Sequence, residues 1–437
     1  MAFKFRGGIH PNDQKAATND KPIEKVKAPT LVHLPVSMHI GAPCSPLVKV
    51  GDTVKVGQKI ADTEAFVSAP IHASISGTVK AVAPRLHPNG TKVMTITIEN
   101  DFKDEPFEGL TPYDLSKMTP DEIVKAVREG GIVGHGGATF PAHIKISSGL
   151  GKVDTIIING AECEPYITSD HRLLLEQPEK LIEGINVLIK AFGVENVLIG
   201  VEENKKNAFD KTNEVIKAKN SPAKLVPLHT RFPQGAEKQL IYALTKREIP
   251  SGKLPSDVGC AVFNVDTAIA IDTLIDTGMP VIRRIVTVSG SAVANPKNLH
   301  SPIGTPIEHL INECGGLKEE PNKLLMGGPM MGNAQFTLDI PVIKGTNAFL
   351  ALSGQEDRRV KNPACLRCGK CVHVCPMGLS PVYMNLYANK ALHEQYEEIG
   401  GLDCMECGSC SYECPARVQL VQNFRATKQK ILASKRK

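Results

Sequence analysis

Eight of the twelve cysteines in this 437-residue chain lie between residues 365 and 414. They form two runs of identical spacing. Cys365, Cys368, Cys371 and Cys375 precede Pro376; Cys404, Cys407, Cys410 and Cys414 precede Pro415. Thiolates at two-residue gaps wrap one face of a cubane iron–sulfur cluster, and a fourth after a longer gap points away. In two-cluster domains that fourth cysteine ligates the other cluster. The spacing therefore predicts one 4Fe-4S centre on Cys365, Cys368, Cys371 and Cys414. It predicts a second on Cys404, Cys407, Cys410 and Cys375. The competing reading is a pair of four-cysteine zinc sites, which needs neither the third closely spaced cysteine nor the Cys-Pro ending. Adjacent clusters relay single electrons, so the rest of the chain is expected to hold a two-electron partner.

Two loops supply candidates for that partner. Gly134-His-Gly-Gly-Ala-Thr-Phe-Pro141 follows a helical stretch and precedes Lys145. Successive glycines let the backbone approach a phosphate, and Lys145 is placed to neutralise it. The bland alternative is a plain turn. Asn159-Gly-Ala-Glu-Cys-Glu-Pro165 leaves the end of an apolar run, where ligands sit in open α/β sheets. Its carboxylates suit ribose or carboxamide hydrogen bonds, or a solvated acidic loop.

The elements that must position these loops follow from pattern. Residues 1–25 are polar and read as an arm. Residues 26–105 alternate with period two between Gly-containing turns, such as Asn89-Gly90, and predict a small β barrel or sandwich. From 112 to 280 the grammar is strand, helix, strand. Thr119, Pro120 and Glu122 form a helix start with a capping box. Residues 153–159 and 196–201 are short apolar strands of the buried parallel kind, separated by a helix expected over 172–192. Residues 281–345 suit a small α+β module. Residues 346–425 hold the cysteines, and 426–437 form a basic tail with Lys428, Lys430, Lys435, Arg436 and Lys437. The class is multidomain α/β.

Composition excludes several functions. Hydrophobic residues are 42% and charged residues 22%, ordinary for a soluble protein. The net charge, 51 − 46 = +5, with no Trp and 5% aromatics, does not argue for nucleic acid. No run of 18 apolar residues predicts a spanning helix, and the start has no apolar core of signal-peptide length. The expected place is the cytoplasmic side of the cell membrane, bound peripherally through partners. The remaining cysteines, Cys44, Cys163, Cys260 and Cys314, are scattered, and Cys163, inside the acidic loop, reads as a free, small buried residue.

The glycine loop, Lys145, the acidic loop, Phe232-Pro-Gln-Gly-Ala-Glu237 and Asn264-Val-Asp-Thr267 resemble the flavin- and NADH-binding subunit of respiratory complex I. A fuller resemblance is to the RnfC family, the nucleotide-binding components of the Rnf electron-transport complex. It rests on Phe5-Arg-Gly-Gly-Ile-His-Pro11, Ser68-Ala-Pro-Ile-His72, Ile249-Pro-Ser-Gly-Lys-Leu-Pro255, Met326-Gly-Gly-Pro-Met-Met-Gly332 and the doubled cysteine motif. The resemblance covers nearly the whole chain. It implies a barrel-sandwich hybrid, a complex I flavin-subunit-like domain, a β-grasp module and a helical two-cluster ferredoxin-like domain. It implies FMN held by Gly134, Gly136, Gly137, Lys145, Asn159, Asn264 and Thr267. It also implies NADH (or NAD) against Phe140, with Glu162, Glu164, Phe232 and Glu237 around it. No residue is assigned a covalent catalytic role. His135 stands where the complex I pattern has Arg, and Ala161 replaces an acidic residue. The barrel's hairpin tip, Glu64-Ala-Phe-Val-Ser68, lacks a carrier lysine and reads as scaffold. The implied activity is that of one subunit in a membrane-bound, ion-translocating NADH:ferredoxin oxidoreductase. Its implied partners are integral-membrane and ferredoxin-like Rnf subunits, with ferredoxin itself met indirectly. The alternatives are a soluble flavin/iron–sulfur reductase of the same family, such as a cobalamin reductase, and a pure electron carrier with no nucleotide site.

Overall fold

The computed structural model describes residues 4–354, 360–361 and 363–435. Arg436 and Lys437 of the basic tail, with residues 1–3, 355–359 and 362, lie outside the described residues.

The site is carried by a four-stranded parallel sheet in the order Lys224–Leu228, Val197–Glu202, Thr155–Gly160, Cys260–Asn264. Ile156, Ile157, Ile158, Val197 and Ile199 are fully buried, which explains the unbroken apolar runs: helices cover both faces. Register places Asn159 beside Asn264 on one neighbour and beside Gly200 on the other. Both asparagines thus stand at the C-terminal ends of adjacent strands, one central and one at the sheet's edge, on the side where open sheets bind ligands.

The helix Pro120–Glu129 begins with the expected box: Thr119 accepts from the Glu122 amide and Glu122 accepts from the Thr119 amide. The helix expected over 172–192 is two helices, Ser169–Glu176 and Pro178–Phe192. Pro178 has no amide hydrogen to continue the first and instead opens the second at its first turn.

The N-terminal module pairs the long hairpin Gly77–Leu86 and Lys92–Asn100 with Leu31–Pro35 and a smaller three-stranded sheet. Its core, Val32, Leu34, Ile60, Val79, Ile96 and Ile98, merges with that of the parallel-sheet module. The β-grasp module contributes Lys297–Pro302, Arg283–Ser289, Ala348–Leu352, Lys323–Met326 and Asn333–Gln335 to a six-stranded sheet. Its remaining edge strand is Ile23–Lys25, parallel to Lys297–Pro302, so the polar first segment runs across the modules. Lys344 is fully buried and donates 2.6 Å bonds to Pro70 O and Gly131 O. That single ammonium ties the barrel, the first helix and the β-grasp module together.

The cysteine domain is a set of short helices closed by Leu420–Ser434, with Met384, Tyr396, Val421, Phe424 and Ile431 inside. Lys428 donates to Cys404 O (2.7 Å) and pairs with Glu406, and Lys435 pairs with Glu397. These basic residues of the tail are therefore turned back onto their own domain.

Candidate electron-transfer site

The eight cysteines sort into the two crossed sets that spacing predicts. One hollow, open to solvent, is lined by Cys365, Cys368, Cys371 and Cys414. The other is lined by Cys375, Cys404, Cys407 and Cys410. The helices Lys370–His373 and Ser409–Glu413 lie between the third and the fourth cysteine of each run, and the last cysteine of each run stands at the other void. Among the described residues no three His, Cys, Asp or Glu side chains close on a single-ion position. A zinc ion would draw four sulfurs to about 2.3 Å of one point; these thiols surround a space. The donor set, all sulfur in two groups of four, fits two 4Fe-4S clusters.

The second void is built into the rest of the molecule. Gly8 N–H donates to Val374 O at 2.9 Å, and Ile9 exchanges backbone bonds with Phe232 at 2.8 and 2.9 Å. A Cβ at Gly7, where φ is +74°, would lie 2.7 Å from Cys375 O. The Gly-Gly of the N-terminal motif is thus a side-chain-free wedge that passes between the Phe232 segment and Cys375. Ile9, Phe232 and Cys407 share an apolar cluster with Cys163, Met330 and Met405. Gln239 donates to Pro376 O at 3.2 Å. Met330 O would lie 2.9 Å from a Cβ at Gly408.

The glycine loop is closed by a bridge between Val133 and Pro141, with Gly134 N–H donating to Phe140 O at 2.8 Å. His135 N–H donates to Thr267 Oγ1 at 3.0 Å. The next four amides, Gly136 to Thr139, meet no acceptor among the described residues. Gly136 has φ +78°, and a Cβ at Gly137 would face open space. The amides of Asn347 and Asn264 stand 3.3 and 3.9 Å from the Cβ position of Gly136. A run of unpaired N–H groups at an open, side-chain-free bend is an anion cradle, and it fits a flavin phosphate.

Beneath the cradle lies a buried charged layer that the sequence did not reveal. Asn264 donates to Asp170 Oδ2 at 2.6 Å and caps Val265–Thr277 by accepting from Asp266 N–H at 2.9 Å. Arg284, from the β-grasp module, pairs with Asp266, and His135 Nδ1 is 3.2 Å from the same carboxylate. Burial raises the Asp170 carboxyl to about 7, with Glu162 adding to it. Burial lowers the Arg284 guanidinium to about 10 and holds His135 well below its ordinary value, so this imidazole is neutral. One signal was present: Arg284 is a charge inside an apolar strand.

The acidic loop has partners of its own. Glu162 accepts from Asp170 N–H (2.6 Å) and His171 N–H (3.2 Å), capping Ser169–Glu176, beside buried Lys15 at 4.0 Å. Glu164 accepts from Met331 N–H (2.8 Å) and Met330 N–H (3.1 Å). Burial pushes its carboxyl up to about 7. Asn159 donates to Gly235 O at 2.8 Å. Lys145 donates to Val262 O (2.7 Å) and pairs with Glu237 at 3.0 Å. Of the three acidic candidates, Glu237 is the one whose side chain is 42% open to solvent. Phe140 is half-buried at the cradle's exit, and Phe232 is 1% exposed beneath the second void.

Comparisons with known proteins follow this division. A family profile described as the RnfC barrel sandwich hybrid domain matches residues 3–103. The Nuo51 FMN-binding domain matches 127–273, an SLBB domain 285–334, and a 4Fe-4S dicluster domain 358–415. The chain is 47% identical over 436 residues to component C of the Na(+)-translocating ferredoxin:NAD(+) oxidoreductase complex of Acetobacterium woodii, covering 99% of this chain and 98% of the relative. It is 47% identical to component C of the proton-translocating ferredoxin:NAD(+) oxidoreductase complex of Clostridium ljungdahlii, covering 98% and 94%. It is 43% identical to component C of the ion-translocating oxidoreductase complex of Rhodobacter capsulatus, covering 99% and 84%. Among solved structures, a chain of an NAD+-reducing [NiFe]-hydrogenase in the H2-reduced state is similar in fold, with TM-score 0.52 and 18% identity over 73% of this chain and 64% of that one.

Proposed function

The chain belongs to the RnfC family, and from that premise we propose that it is the NADH-oxidising, NAD-reducing subunit of a membrane-bound ferredoxin:NAD oxidoreductase. The observation that carries this reading is the packing of the second four-cysteine void against the module that bears the phosphate cradle. When bound, FMN exchanges electrons in pairs with NADH and singly with the clusters, which relay them to the rest of the complex.

The chain's own residues bind and orient. The amides from Gly136 to Thr139 hold the FMN phosphate, with Gly134 closing the loop behind them. Thr267 fixes the loop by accepting from His135, and Asn264 and Asn159, at the ends of adjacent strands, would line the flavin site. Lys145, already matched by Glu237, adds directed positive charge without leaving an unpaired cation when the site is empty. Phe140 offers the stacking face for the nicotinamide nucleotide, with Glu237 at its rim. Glu162, Glu164 and Phe232 act one step back, by bracing the loops on which these groups stand. No helix of the described residues is long and apolar enough to cross a membrane. Attachment to the cytoplasmic face therefore runs through the integral-membrane and ferredoxin-like subunits of the complex, and ion translocation belongs to those subunits.

The test is anaerobic purification, with iron, sulfide and flavin counted, followed by NADH-driven reduction of an artificial acceptor. Iron and sulfide for two clusters and one FMN are expected. Phe140→Ala should raise the NADH Michaelis constant by roughly 5- to 150-fold, the 1–3 kcal/mol of a lost aromatic contact, with cofactors retained. Stoichiometric zinc, or a flavin-free protein, would defeat the reading.

A further inference from the structure

The cofactor reading leaves the surroundings of the first void unexplained. Residues 364–370 are exposed without interruption, Cys365 and Cys368 included. Leu366 is 66% exposed and Tyr383, on the helix Pro381–Asn389 beside the void, is 56% exposed. Val372 is also exposed. The charges nearest in sequence are of one sign, with Glu356, Asp357 and Glu394 standing just outside the stretch. From residue 360 to residue 393 the chain carries Lys361, Arg367, Lys370 and Lys390 and no carboxylate. Arg417 follows the fourth ligand, Cys414; the acid adjoining that ligand is half-buried Glu413. Among the described residues none of Lys361, Arg367, Lys370, Lys390 and Arg417 is in an ion pair.

We propose that this rim is the docking surface for an acidic protein, or an acidic protein domain, that carries its own one-electron centre. Exposed apolar side chains interspersed along the chain with unmatched cations, Arg367 lining the void itself, form a patch that is costly to leave wet and is complementary to an acidic face with an apolar centre. Long-range attraction orients the encounter over about 10 Å at 0.1 M salt. It brings the partner onto the two exposed ligands, Cys365 and Cys368, which no described residue buries. A nucleic acid would also answer positive charge, but among the described residues the exposed aromatics near the ligands are few, Tyr383 and Tyr412, too sparse for a stacking platform.

The inference rests on the electron-transfer reading above, and the experiment separates the two. The probe is a purified acidic 4Fe-4S ferredoxin, titrated against the full, anaerobically loaded chain at several salt concentrations. Binding is expected to weaken steeply with salt. Lys361→Glu with Lys370→Glu should weaken it by roughly tenfold or more and flatten the salt dependence. Lys435→Glu, just after the last helix and paired with Glu397, should leave it unchanged. Iron content shows that the variants are loaded. If the double charge reversal disturbs loading, Lys361→Gln with Lys370→Gln should give the same loss at smaller size. Absence of binding at low salt overturns the proposal, as does equal binding by wild type and a loaded double variant. NADH-driven reduction of ferricyanide by the same preparations reads the other arm: its absence in wild type overturns the proposed function whatever the ferredoxin does.

Discussion

Cys365 and Cys368 lie exposed, whereas Cys407 and Cys410 are 7% and 8% exposed, although the two runs have the same spacing and the same Cys-Pro ending. The charge around them differs too. Between residues 394 and 413 the chain carries six carboxylates, and Glu397 and Glu406 are paired with cations of the last helix and the residue that follows it. Around the first run the cations are unmatched among the described residues. A ligand motif therefore says which atoms will bind the metal and nothing about which way the centre faces. That is decided by what packs against the loops between the cysteines. Here the wedge of Gly7 and Gly8, the Phe232 segment and Met330 claim one centre for the interior, and the other is left at the surface.

The crossing of ligands offers the largest test of this division. Cys375 stands in the first run and lines the second void; Cys414 does the reverse. Cys375→Ser should remove the cluster built mainly on the second run and leave the exposed one, with iron falling by half. Cys414→Ser should do the opposite. Electron paramagnetic resonance of the reduced proteins distinguishes the two survivors. Loss of the exposed centre in Cys375→Ser would reverse the assignment.

Next in size is Gly136→Glu. It forces a side chain into left-handed backbone (φ +78°) and sets a carboxylate where phosphate would lie. The strain lowers the stability of the loop, and the carboxylate facing the phosphate costs about 2–3 kcal/mol of binding, or roughly 30- to 150-fold in flavin affinity. Because the second void is held by the N-terminal wedge and Phe232 rather than by the cradle, both clusters should remain. Full flavin in the variant would reduce the loop to a turn, and loss of iron with the flavin would show that the interior centre depends on the cradle.

What could be foreseen divides along the same physical line. Local codes were legible: the capping box at Thr119 and Glu122 spans three residues, and the cysteine spacing carries its own ligand geometry. The Asn89-Gly90 turn falls in the hairpin connection. The break at Pro178 was written in the sequence, but the apolar periodicity on either side concealed it. Illegible were partnerships of long reach. Glu162 and Glu164 have the composition of a ligand-binding rim, yet one caps a helix and the other holds amides more than 160 residues away. Asp170, Asp266 and Arg284 come from three separate elements, and only folding brings them under the cradle. The N-terminal motif Phe5 to Pro11 was visible as a motif; its work, passing between Phe232 and Cys375, was not.

Glu164 is the latch between the acidic loop and the Met330 segment that lies on the second run, and it gives the comparison a pH dependence. Its carboxyl is raised by burial from 4.5 to about 7, while the amides of Met330 and Met331 and the charge of Lys15 oppose the shift. An acid with a raised folded value holds its proton more tightly when folded. Its contribution is therefore full below about 4.5 and is lost as pH rises through about 7. The ceiling is about 3 kcal/mol by linkage, and local relaxation makes about 1–2 kcal/mol the working expectation. Hydrogen exchange of the Met330 and Met331 amides, corrected for intrinsic rate, should show protection falling across that window in wild type. Glu164→Gln should be flat. A parallel fall in the variant would assign the slope to another group, with Asp170 the first to examine.

The smallest effect compares matched with unmatched surface charge. Glu406 receives Arg425 at 2.9 Å and Lys428 at 3.1 Å, and the three side chains are 23%, 40% and 19% exposed. Partly solvated pairs of this kind contribute about 0.2–1 kcal/mol each. Lys428 also keeps its bond to Cys404 O, so Glu406→Gln removes charge without removing that anchor. A loss of about 1 kcal/mol or less is expected, seen as a slightly lower melting temperature of the loaded protein and faster cluster loss. Lys361→Gln, on the exposed rim, should leave both within error, since an unmatched solvated cation has no folded partner to lose. The two substitutions each delete one surface charge. If the rim variant proves as costly as the matched one, Lys361 has a partner within the chain, and the unmatched rim on which the contrast between the two runs depends is not unmatched at that point.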